Sequence, residues 1–296
     1  MTESKSRLGF IGLGLMGQGF TKCLINAGYQ VIGYDLEQQK IDLALEHGVI
    51  PAQNSREVTE SSDIVIICVT TTQDVNDVVF GSNGVVSGAS KGKVLIDHST
   101  TAHGDTKIMA SRLASETGMG WVDAPVSGGP EGAKNGTLAI MGGGSDKDIA
   151  KVEDVMDTMS ETFTVFGPVG SGQIAKMVNQ ILVLNNYAII AEALALAEAG
   201  GIDASKIPDA LAVGYAGSNM LRHMFPLMID RNYTPRGFAR QILKDFDTLH
   251  ELAKNLKSPT PMSSQASSLY RMLISKGHGE LDGIAILKLF DKNDNI

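Results

Sequence analysis

Three glycines between an apolar run and a helical pattern constrain the fold of this chain most strongly. Leu8–Ile11 is apolar, the turn Gly12-Leu-Gly-Leu-Met-Gly17 follows it directly, and residues 20–27 then have the spacing of a helix with one apolar face. A second apolar run ends in Asp35. This order of strand, glycine turn, helix, strand and acid is typical of a dinucleotide-binding βαβ unit.

The three glycines have separate physical tasks. Gly12 allows the tight turn, Gly14 lets the backbone approach a pyrophosphate, and Gly17 lets the helix pack closely on the strand. The N-terminus of the helix presents N–H groups and the positive end of its dipole to the phosphates. A glycine-rich turn that only packs would leave Asp35 unexplained. We therefore predict that the whole turn binds a dinucleotide, through Gly12, Leu13, Gly14, Leu15, Met16 and Gly17.

Asp35 indicates which dinucleotide is preferred. It lies 23 residues after Gly12, where a carboxylate accepts hydrogen bonds from the hydroxyls of the adenosine ribose. The same carboxylate would repel the 2′-phosphate of NADP, and no arginine follows it closely. The sequence therefore favours NAD over NADP, although Lys40 is near enough in sequence to weaken this preference.

Strand and helix patterns alternate up to residue 167. Asp63–Val69 and Lys93–Ser99 are nearly continuous apolar runs, which are typical of parallel strands buried on both faces. Further strands are predicted near 120–127, 138–142 and 162–167, and helices near 37–47, 73–80, 103–117 and 146–159. The alternation predicts an N-terminal α/β domain with a doubly wound sheet of the Rossmann type.

Hydroxyl side chains follow two of these apolar runs. Ligands bind doubly wound sheets at the carboxyl ends of the strands, where Thr70–Thr72 and Ser99–Thr101 are placed. We predict that Val69 and Thr70 contact the cofactor. For each single hydroxyl, however, capping of the following helix is at least as good an explanation.

A serine and two glycines follow the strand predicted near 120–127. The segment reads Asp123-Ala-Pro-Val-Ser-Gly-Gly129, and a second glycine-rich stretch follows at 132–136. Consecutive backbone N–H groups beside a serine hydroxyl can form an anion-binding nest, for which a small carboxylate is a suitable ligand. An ordinary turn explains the segment equally well when it is considered alone.

The pattern becomes wholly helical after Gly170. Residues 1–172 contain 25 of the 33 glycines, whereas Gln173–Ala199 contains no Gly or Pro and has helical apolar spacing. At 1.5 Å per residue this predicts a helix of about 40 Å. Further helices are predicted at 204–213, 218–231, 236–256, 261–276 and 282–290. We therefore predict a dinucleotide-binding domain over residues 1–168 and an all-helical substrate and oligomerisation domain over residues 169–296.

Lys176 and Asn179 are candidates for catalysis at the start of the long helix. They are three residues apart, so they share one face. A lysine that is desolvated among apolar residues can act as an acid or a base. A helical lysine chosen at random more often extends its ammonium group to solvent, so the spacing alone does not decide its role.

Composition and charge exclude several other functions. Residues 1–170 carry 12 Lys and Arg against 21 Asp and Glu, which is a poor match for nucleic acid. No apolar stretch approaches 18 residues, so no membrane span is expected, and the glycine spacing of Leu8–Phe20 argues against a signal peptide. Cys23 and Cys68 fit a reducing, cytoplasmic compartment. The six histidines lack metal-ligand spacing, so no metal is expected.

Four motifs carry a resemblance that covers nearly the whole chain. The four motifs, in chain order, are the cofactor turn Gly9–Gly17, Asp123–Gly129, Gly172-x-x-x-Lys176-x-x-Asn179 and Lys244-Asp245. With them the chain resembles the β-hydroxyacid dehydrogenase family, which includes 3-hydroxyisobutyrate dehydrogenase and tartronate semialdehyde reductase. Each motif alone is modestly specific. All four together, in this order and at these separations, are highly specific.

The resemblance implies an activity and a role for each matching residue. It implies an oxidoreductase that transfers a hydride between a nicotinamide cofactor and the CH–OH group of a small 3-hydroxy or 2-hydroxy acid, or the corresponding semialdehyde, and that forms a homodimer or homotetramer. The implied roles are substrate carboxylate binding by Ser127, Gly128 and Gly129, general acid/base catalysis by Lys176, positioning of the reacting oxygen by Asn179, and cofactor contacts by Thr100 at the ribose and Lys244 at the nicotinamide end.

One departure and two alternatives accompany this resemblance. Relatives often have a proline soon after the Ser-Thr pair, whereas this chain reads Ser99-Thr-Thr-Ala-His103. An imine reductase that uses NADPH has a similar fold, but Lys176 together with Asp35 argues against it. An NAD-binding protein without catalysis is the second alternative, against which the lysine and the serine loop both argue.

Overall fold

The chain divides into two compact units. The computed structural model describes residues 6–291, and contacts between Cα atoms separate a first unit that ends at Lys176 from a second unit that begins at Met177. The predicted boundary followed residue 168. The assignment of a cofactor domain and of a substrate and oligomerisation domain to the two parts of the chain stays a prediction.

The strands of the described residues all lie in the first unit. They are β1 (Leu8–Ile11), β2 (Val31–Tyr34), β3 (Ile50–Pro51), β4 (Ile64–Ile67), β5 (Val94–Asp97), β6 (Gly120–Asp123), β7 (Val126–Ser127), β8 (Leu138–Gly143) and β9 (Ser160–Gly167). The α-helices of this unit are α1 (Leu15–Asn26), α2 (Gln38–Leu45), α3 (Ser55–Glu60), α4 (Thr72–Phe80), α5 (His103–Thr117), α6 (Gly129–Asn135) and α7 (Asp146–Met159).

The regular elements of the second unit, within its described residues, are all helices. The long helix α8 (Ser171–Ala199) begins in the first unit and continues into the second. It is followed by α9 (Ile207–Ala210), α10 (Asn219–Ile229), α11 (Ala239–Leu256) and α12 (Pro261–Ser275), with 3₁₀ turns at Ala204–Lys206 and Gly283–Leu289. These helices bury a core of their own around Phe225, Phe246 and Tyr270.

The sheet confirms the predicted doubly wound architecture. Its strand order is β3-β2-β1-β4-β5-β6-β8-β7, with β9 beside β8. Within the group of strands from β1 to β6, every pair of neighbouring strands is parallel. The order changes direction between β1 and β4, and ligands of such sheets bind at the carboxyl ends of the strands next to this point.

Alternation along the central strands produces two cores, one on each face of the sheet. In β4, Ile64 and Ile66 belong to one buried cluster, whereas Val65 and Ile67 belong to the other. Because successive side chains of a strand point to opposite faces, a strand that is apolar at every position is buried on both faces. This explains why the apolar run of residues 63–69 forms a central strand.

The sheet departs from the sequence prediction at its far edge. The strand predicted at 120–127 is two strands, β6 and β7, separated by Ala124-Pro125, because proline lacks the N–H that a continuous ladder requires. β8 is antiparallel to both of them. The glycine-rich stretch at 132–136 lies largely in helix α6 rather than in a turn. The short elements β3 and α3 were not predicted, since their two and six residues show no periodicity.

Helix α8 is long and apolar enough to cross a membrane by length and composition alone. In the structure, 39% of its most apolar 18-residue window is buried. One such helix is weak evidence for a membrane span, because the core helix of a soluble protein has the same length and composition. The expectation of a chain without a membrane span stays a prediction.

Candidate functional site

The three glycines of the turn differ in the space around them. Gly12 has φ +97°, and a Cβ there would lie 2.3 Å from the Cys68 carbonyl oxygen. A Cβ on Gly17 would lie 2.1 Å from the Gly12 carbonyl oxygen, so both positions exclude a side chain. Gly14, by contrast, faces open space and precedes α1 without a side-chain cap. A phosphate group therefore fits against the N-terminus of α1.

The carboxylate of Asp35 is fixed by the backbone on both of its oxygens. It accepts hydrogen bonds from Leu13 N at 2.7 Å and from Glu37 N at 2.9 Å. The Lys40 ammonium lies 2.8 Å from a Glu37 carboxylate oxygen and 3.8 Å from Asp35. Asp35 therefore joins the glycine turn to the end of β2, and the charge of Lys40 is directed at two carboxylates.

A cavity of about 630 Å³ opens at the carboxyl ends of these strands. Five of the predicted cofactor residues line it, namely Gly12, Gly14, Asp35, Val69 and Thr70. The other four residues of the turn do not line it. Leu13 is fully buried in the core, Gly17 packs against Gly12, Leu15 is 54% exposed, and Met16 packs against the core. Two features of this cavity therefore suit a dinucleotide, namely the open space at Gly14 and the Asp35 carboxylate at the cavity wall.

The cavity is also lined by Cys68, a half-buried free thiol. Burial raises the pKa of its thiol to about 12, and the nearby charge of Asp97 acts in the same direction. A thiol with so high a pKa is not a nucleophile at neutral pH. No group of three or more His, Cys, Asp and Glu side chains that could hold a metal ion occurs within residues 6–291.

The structure gives two members of the predicted hydroxyl runs a structural contact. Thr71 caps α4 in a reciprocal box with Asp74, as the capping alternative predicted for a single hydroxyl. The Thr101 hydroxyl pairs with that of Thr106 at 2.8 Å. Thr70 lines the cavity, and Thr100 follows β5 in a half-buried position. The cofactor contacts predicted for Thr70 and Thr100 stay predictions, and of the two residues only Thr70 lines this cavity.

The predicted carboxylate loop has the backbone geometry of a turn into a helix. Ser127 ends β7, Gly128 has φ +130°, and Gly129 has φ +67° at the first residue of α6. Both positive φ values favour glycine. No heavy atom lies within 4 Å of a Cβ built on Gly129. The loop is therefore exposed and open on the side of Gly129, as a small ligand requires.

Lys176 is buried beside this loop. Only 8% of the residue is exposed, and its ammonium nitrogen donates a hydrogen bond to the Val126 carbonyl oxygen at 2.8 Å. Val126 directly precedes Ser127, so the ammonium group and the predicted carboxylate loop are neighbours within the first unit. The alternative of a solvent-extended lysine does not apply, since the side chain is buried.

The sequence analysis gave no role to Asp123, although it quoted the residue within a motif. This fully buried carboxylate accepts hydrogen bonds from Gly170 N at 2.6 Å and Gln173 N at 3.0 Å, and so caps the start of α8. Burial raises the pKa of Asp123 to about 6, against the opposing effect of these N–H donors. Its signal in the sequence is an acid at the end of an apolar strand.

Gln173 is a second residue that the sequence analysis missed. Its fully buried amide accepts a hydrogen bond from Thr101 N at 3.1 Å and donates one to the Ser99 carbonyl oxygen at 2.9 Å. The amide thus spans the backbone on both sides of Thr100. A glutamine amid apolar residues, one turn before Lys176, was the available signal.

The second unit brings Asn179 and Lys244 into one polar chain. The Asn179 amide donates to the Gln180 side-chain oxygen at 2.9 Å, and the Gln180 amide donates in turn to the Asp245 carboxylate. The Lys244 ammonium lies 2.9 Å from the other oxygen of Asp245. The two residues predicted here are therefore connected through side chains from α8 and α11.

Comparisons with known proteins cover almost the whole chain. Residues 7–167 match a family described as the NAD binding domain of 6-phosphogluconate dehydrogenase, and residues 170–290 match one described as the NAD-binding part of NADP-dependent 3-hydroxyisobutyrate dehydrogenase. The chain is 35% identical over 286 residues to 2-hydroxy-3-oxopropionate reductase from Escherichia coli, which covers 96% of this chain and 97% of that protein.

Two further proteins agree with this result. NAD-dependent L-serine dehydrogenase from Pseudomonas aeruginosa is 33% identical over 293 residues, covering 96% of this chain and 98% of that protein. The crystal structure of 3-hydroxyisobutyrate dehydrogenase from Salmonella typhimurium has a TM-score of 0.89 at 28% identity, covering 96% of this chain and all of that one. The similarity therefore extends through both units of the chain.

Proposed function

The chain belongs to the β-hydroxyacid dehydrogenase family, and from this premise we propose that it is a nicotinamide-dependent dehydrogenase of small hydroxy acids or the reductase of their semialdehydes. The observation that carries the proposal is the buried ammonium group of Lys176, hydrogen-bonded to Val126 directly before the Ser127–Gly129 loop. A cation of this kind beside an open glycine loop suits an anionic substrate with a reacting oxygen.

In the proposed mechanism, the residues of the chain bind the substrate and move one proton. The backbone and hydroxyl of Ser127–Gly129 hold the substrate carboxylate, and Asn179 positions the reacting oxygen. Lys176 takes the proton of the substrate hydroxyl during oxidation and returns it to the carbonyl oxygen during reduction. The bound nicotinamide supplies the hydride acceptor or donor. The glycine turn, Thr100 and Lys244 would hold that cofactor.

We propose that NAD is preferred over NADP. The support is the pair of carboxylates at the end of β2, because Asp35 lies at the cavity wall and Glu37 also lines it. Both would repel a 2′-phosphate, and Lys40 is already paired with Glu37 at 2.8 Å. A cation engaged by carboxylates attracts a phosphate less than an unpaired one does.

We propose that the chain forms a homodimer or homotetramer through α8. The support is an apolar row on its exposed surface, formed by Leu182, Ile189 and Leu196, which are 63%, 53% and 75% exposed. Their spacing of seven residues places them on one face of a helix. A second copy of the chain, rather than lipid or nucleic acid, is the partner proposed for this row.

A cytoplasmic location completes the proposal. Its support is that Cys23 and Cys68 are both free thiols, which suits a reducing compartment. The net charge of −8 further disfavours nucleic acid as a partner.

The test is a substrate and cofactor panel with the purified full-length chain. Reduction of tartronate and succinic semialdehydes, and oxidation of 3-hydroxyisobutyrate, threonate and L-serine, would each be followed by nicotinamide absorbance with NAD(H) and NADP(H). We expect turnover of at least one acid, with a higher kcat/KM for NAD(H). Reduction of cyclic imines with NADPH in place of acid turnover would identify an imine reductase, and NAD binding without any turnover would identify a non-catalytic protein.

A further inference from the structure

The first two turns of α8 contact two loops of the first unit. One contact is the hydrogen bond from Lys176 to Val126, next to the predicted carboxylate loop. The other is the amide of Gln173, which is bonded to Ser99 and Thr101 on either side of the predicted ribose contact Thr100. Gln173 and Lys176 are three residues apart on the helix and so share one face.

The loop that holds Gln173 is itself connected to the cavity. The Ser99 hydroxyl accepts a hydrogen bond from Val69 N at 3.0 Å, and Val69 lines the cofactor cavity. The Asp97 carboxylate accepts from Ser99 N at 2.9 Å. A continuous path of hydrogen bonds therefore runs from the cavity wall, through the 99–101 backbone and the Gln173 amide, to the helix that carries Lys176.

The chemistry of the amide is matched to its partners. One partner is a carbonyl oxygen and the other is an N–H, so the site requires one donor and one acceptor on a single short side chain. Burying an amide without partners is costly, and both ends of this one are satisfied. A carboxylate would place an acceptor against the Ser99 carbonyl, and an apolar residue would leave two backbone groups without partners.

We propose that Gln173 is a positioning residue that fixes Lys176 relative to the cofactor loop at Thr100, an inference that rests on the dehydrogenase function proposed above. Its amide sets the distance between the 99–101 backbone and the first turn of α8. The Asp123 carboxylate, bonded to the backbone N–H of Gln173, holds the same residue from the other side. The register of Lys176 thus depends on a side chain that is itself fully buried.

Replacement by an apolar residue of similar length tests the role directly. Gln173→Met removes both hydrogen bonds with little change in volume. We expect kcat to fall by about 10- to 100-fold, since a displacement of about 1 Å can cost 10²-fold in rate, while KM for NAD changes much less. We also expect the isotope effect of a deuterated substrate to increase, because hydride transfer becomes slower than the other steps.

A carboxyl group of the same length provides a conservative rescue. In Gln173→Glu the neutral carboxyl offers one donor and one acceptor, whereas the ionised form offers acceptors only. The ratio of variant to parent kcat should therefore rise as the pH falls. The charged or titratable groups near the amide include Asp97, Asp123, His98, Lys176 and His103, whose ring nitrogen lies 2.9 Å from the Gly170 carbonyl oxygen. Because these groups also titrate in the parent, dividing the kcat of the variant by the kcat of the parent removes their contribution to the pH profile.

A stability control and a structural measurement complete the test. Val155→Ala removes buried volume from α7, which contributes no residue to the site, so it should lower the melting temperature without lowering kcat per folded molecule. The amide hydrogen of Thr101 should exchange faster in Gln173→Met than in the parent or in Val155→Ala, because its acceptor is lost.

Two kinetic results and one exchange result would each overturn the inference. The kinetic results are a parental kcat per folded molecule in Gln173→Met and a ratio for Gln173→Glu that does not rise towards low pH. If the parent converts no acid of the panel, the proposed function fails, whereas unchanged exchange at Thr101 in Gln173→Met would disprove the bridge whatever the activity.

Discussion

At the scale of single residues, the position of Lys176 depends on a neutral hydrogen-bond acceptor. A lysine ammonium group has three donors, and the contact with the Val126 carbonyl at 2.8 Å uses one of them to orient the group. The contact therefore fixes the direction of the side chain beside the predicted carboxylate loop.

Replacement of Lys176 should remove the proton transfer. We expect Lys176→Met to lower kcat by about 10²–10⁴-fold, which is the usual contribution of general acid–base catalysis, with NAD affinity retained. Steady-state kinetics and NAD titration measure the two quantities. Lys147→Met, an exposed lysine on α7, is the matched control. Turnover close to that of this control would exclude the assigned role.

The carboxylate of Asp35 should set the cofactor preference. Asp35→Ser removes the charge that faces the cavity, so kcat/KM for NAD should fall by about tenfold or more relative to NADP, since a hydrogen bond to a charged group contributes about 1.5–3 kcal/mol. The ratio of the two kcat/KM values is the measurement, and Asp42→Ser on the exposed face of α2 is the control. An unchanged ratio would contradict the proposed preference.

Residues of the candidate site differ in how far the sequence could predict them. Gly12 and Asp35 were predictable because a positive φ and a ribose contact each require one residue type at a known spacing. Asp123 and Gln173 were not, because their partners lie 47 and 74 residues away along the chain. A buried polar side chain with distant backbone partners leaves no periodic signal.

At the scale of elements, local sequence signals set the boundaries of some helices. The boundaries of other helices depend on tertiary contacts. The predicted helix at 146–159 has the bounds of α7, whose first turn is capped by Ser145. Helix α6 was missed because its two glycines and one proline have low helix propensity. It packs so closely on α1 that a Cβ on Gly19 would lie 2.9 Å from the Ala133 Cβ. Such packing overrides propensity and cannot be seen in the local sequence.

Two glycines at the second position of a helix should respond oppositely to alanine. A Cβ on Gly172 in α8 would lie 2.4 Å from the Met141 carbonyl oxygen and 2.7 Å from that of Asp123, whereas a Cβ on Gly104 in α5 meets no atom within 4 Å. We expect Gly172→Ala to destabilise the fold by about 1–3 kcal/mol and Gly104→Ala to stabilise it by about 0.4–1 kcal/mol. Urea unfolding measures both, and equal effects would refute the tight packing of α8.

The cap of α8 should make stability depend on pH. The pKa of Asp123 is raised from 3.8 to about 6 in the fold, so its stabilising contribution is fully present below pH 3.8 and is lost as the pH rises through 6. This difference between the two pKa values corresponds to about 3 kcal/mol of unfolding free energy. We expect the unfolding free energy of the parent, minus that of Asp123→Asn, to fall by this order between pH 4 and pH 7. A difference that is constant over this range would show that the carboxylate does not titrate there.

At the scale of the whole molecule, one long helix is part of both units. Its first residues, up to Lys176, belong to the unit that contains the sheet, and its remainder belongs to the helical unit. The apolar row of Leu182, Ile189 and Leu196 lies on this remainder. The helix that presents the proposed catalytic lysine is therefore also the one that presents the proposed contact between subunits.

The apolar row should govern assembly. Leu182→Glu and Ile189→Glu each place a charge in the proposed contact, so sedimentation analysis should show smaller species than for the parent at equal concentration. Ile108→Glu, on an exposed position of α5 that is 67% exposed, is the control and should leave the assembly unchanged. A monomeric parent that associates with lipid vesicles would instead assign the row to a membrane surface.

Asp123 also determines where this chain can be recombined with a relative. In a chimera joined at residue 168, between the two predicted domains, Gly170 and Gln173 would come from one parent. The Asp123 carboxylate that accepts their hydrogen bonds would come from the other parent. The glycines at 143 and 172, whose added Cβ atoms would lie 2.6 Å and 2.8 Å from the oxygens of that carboxylate, would be separated in the same way. Chimeras should therefore inherit residues 123–176 as one block, with the crossover inside the helix rather than in the loop before it.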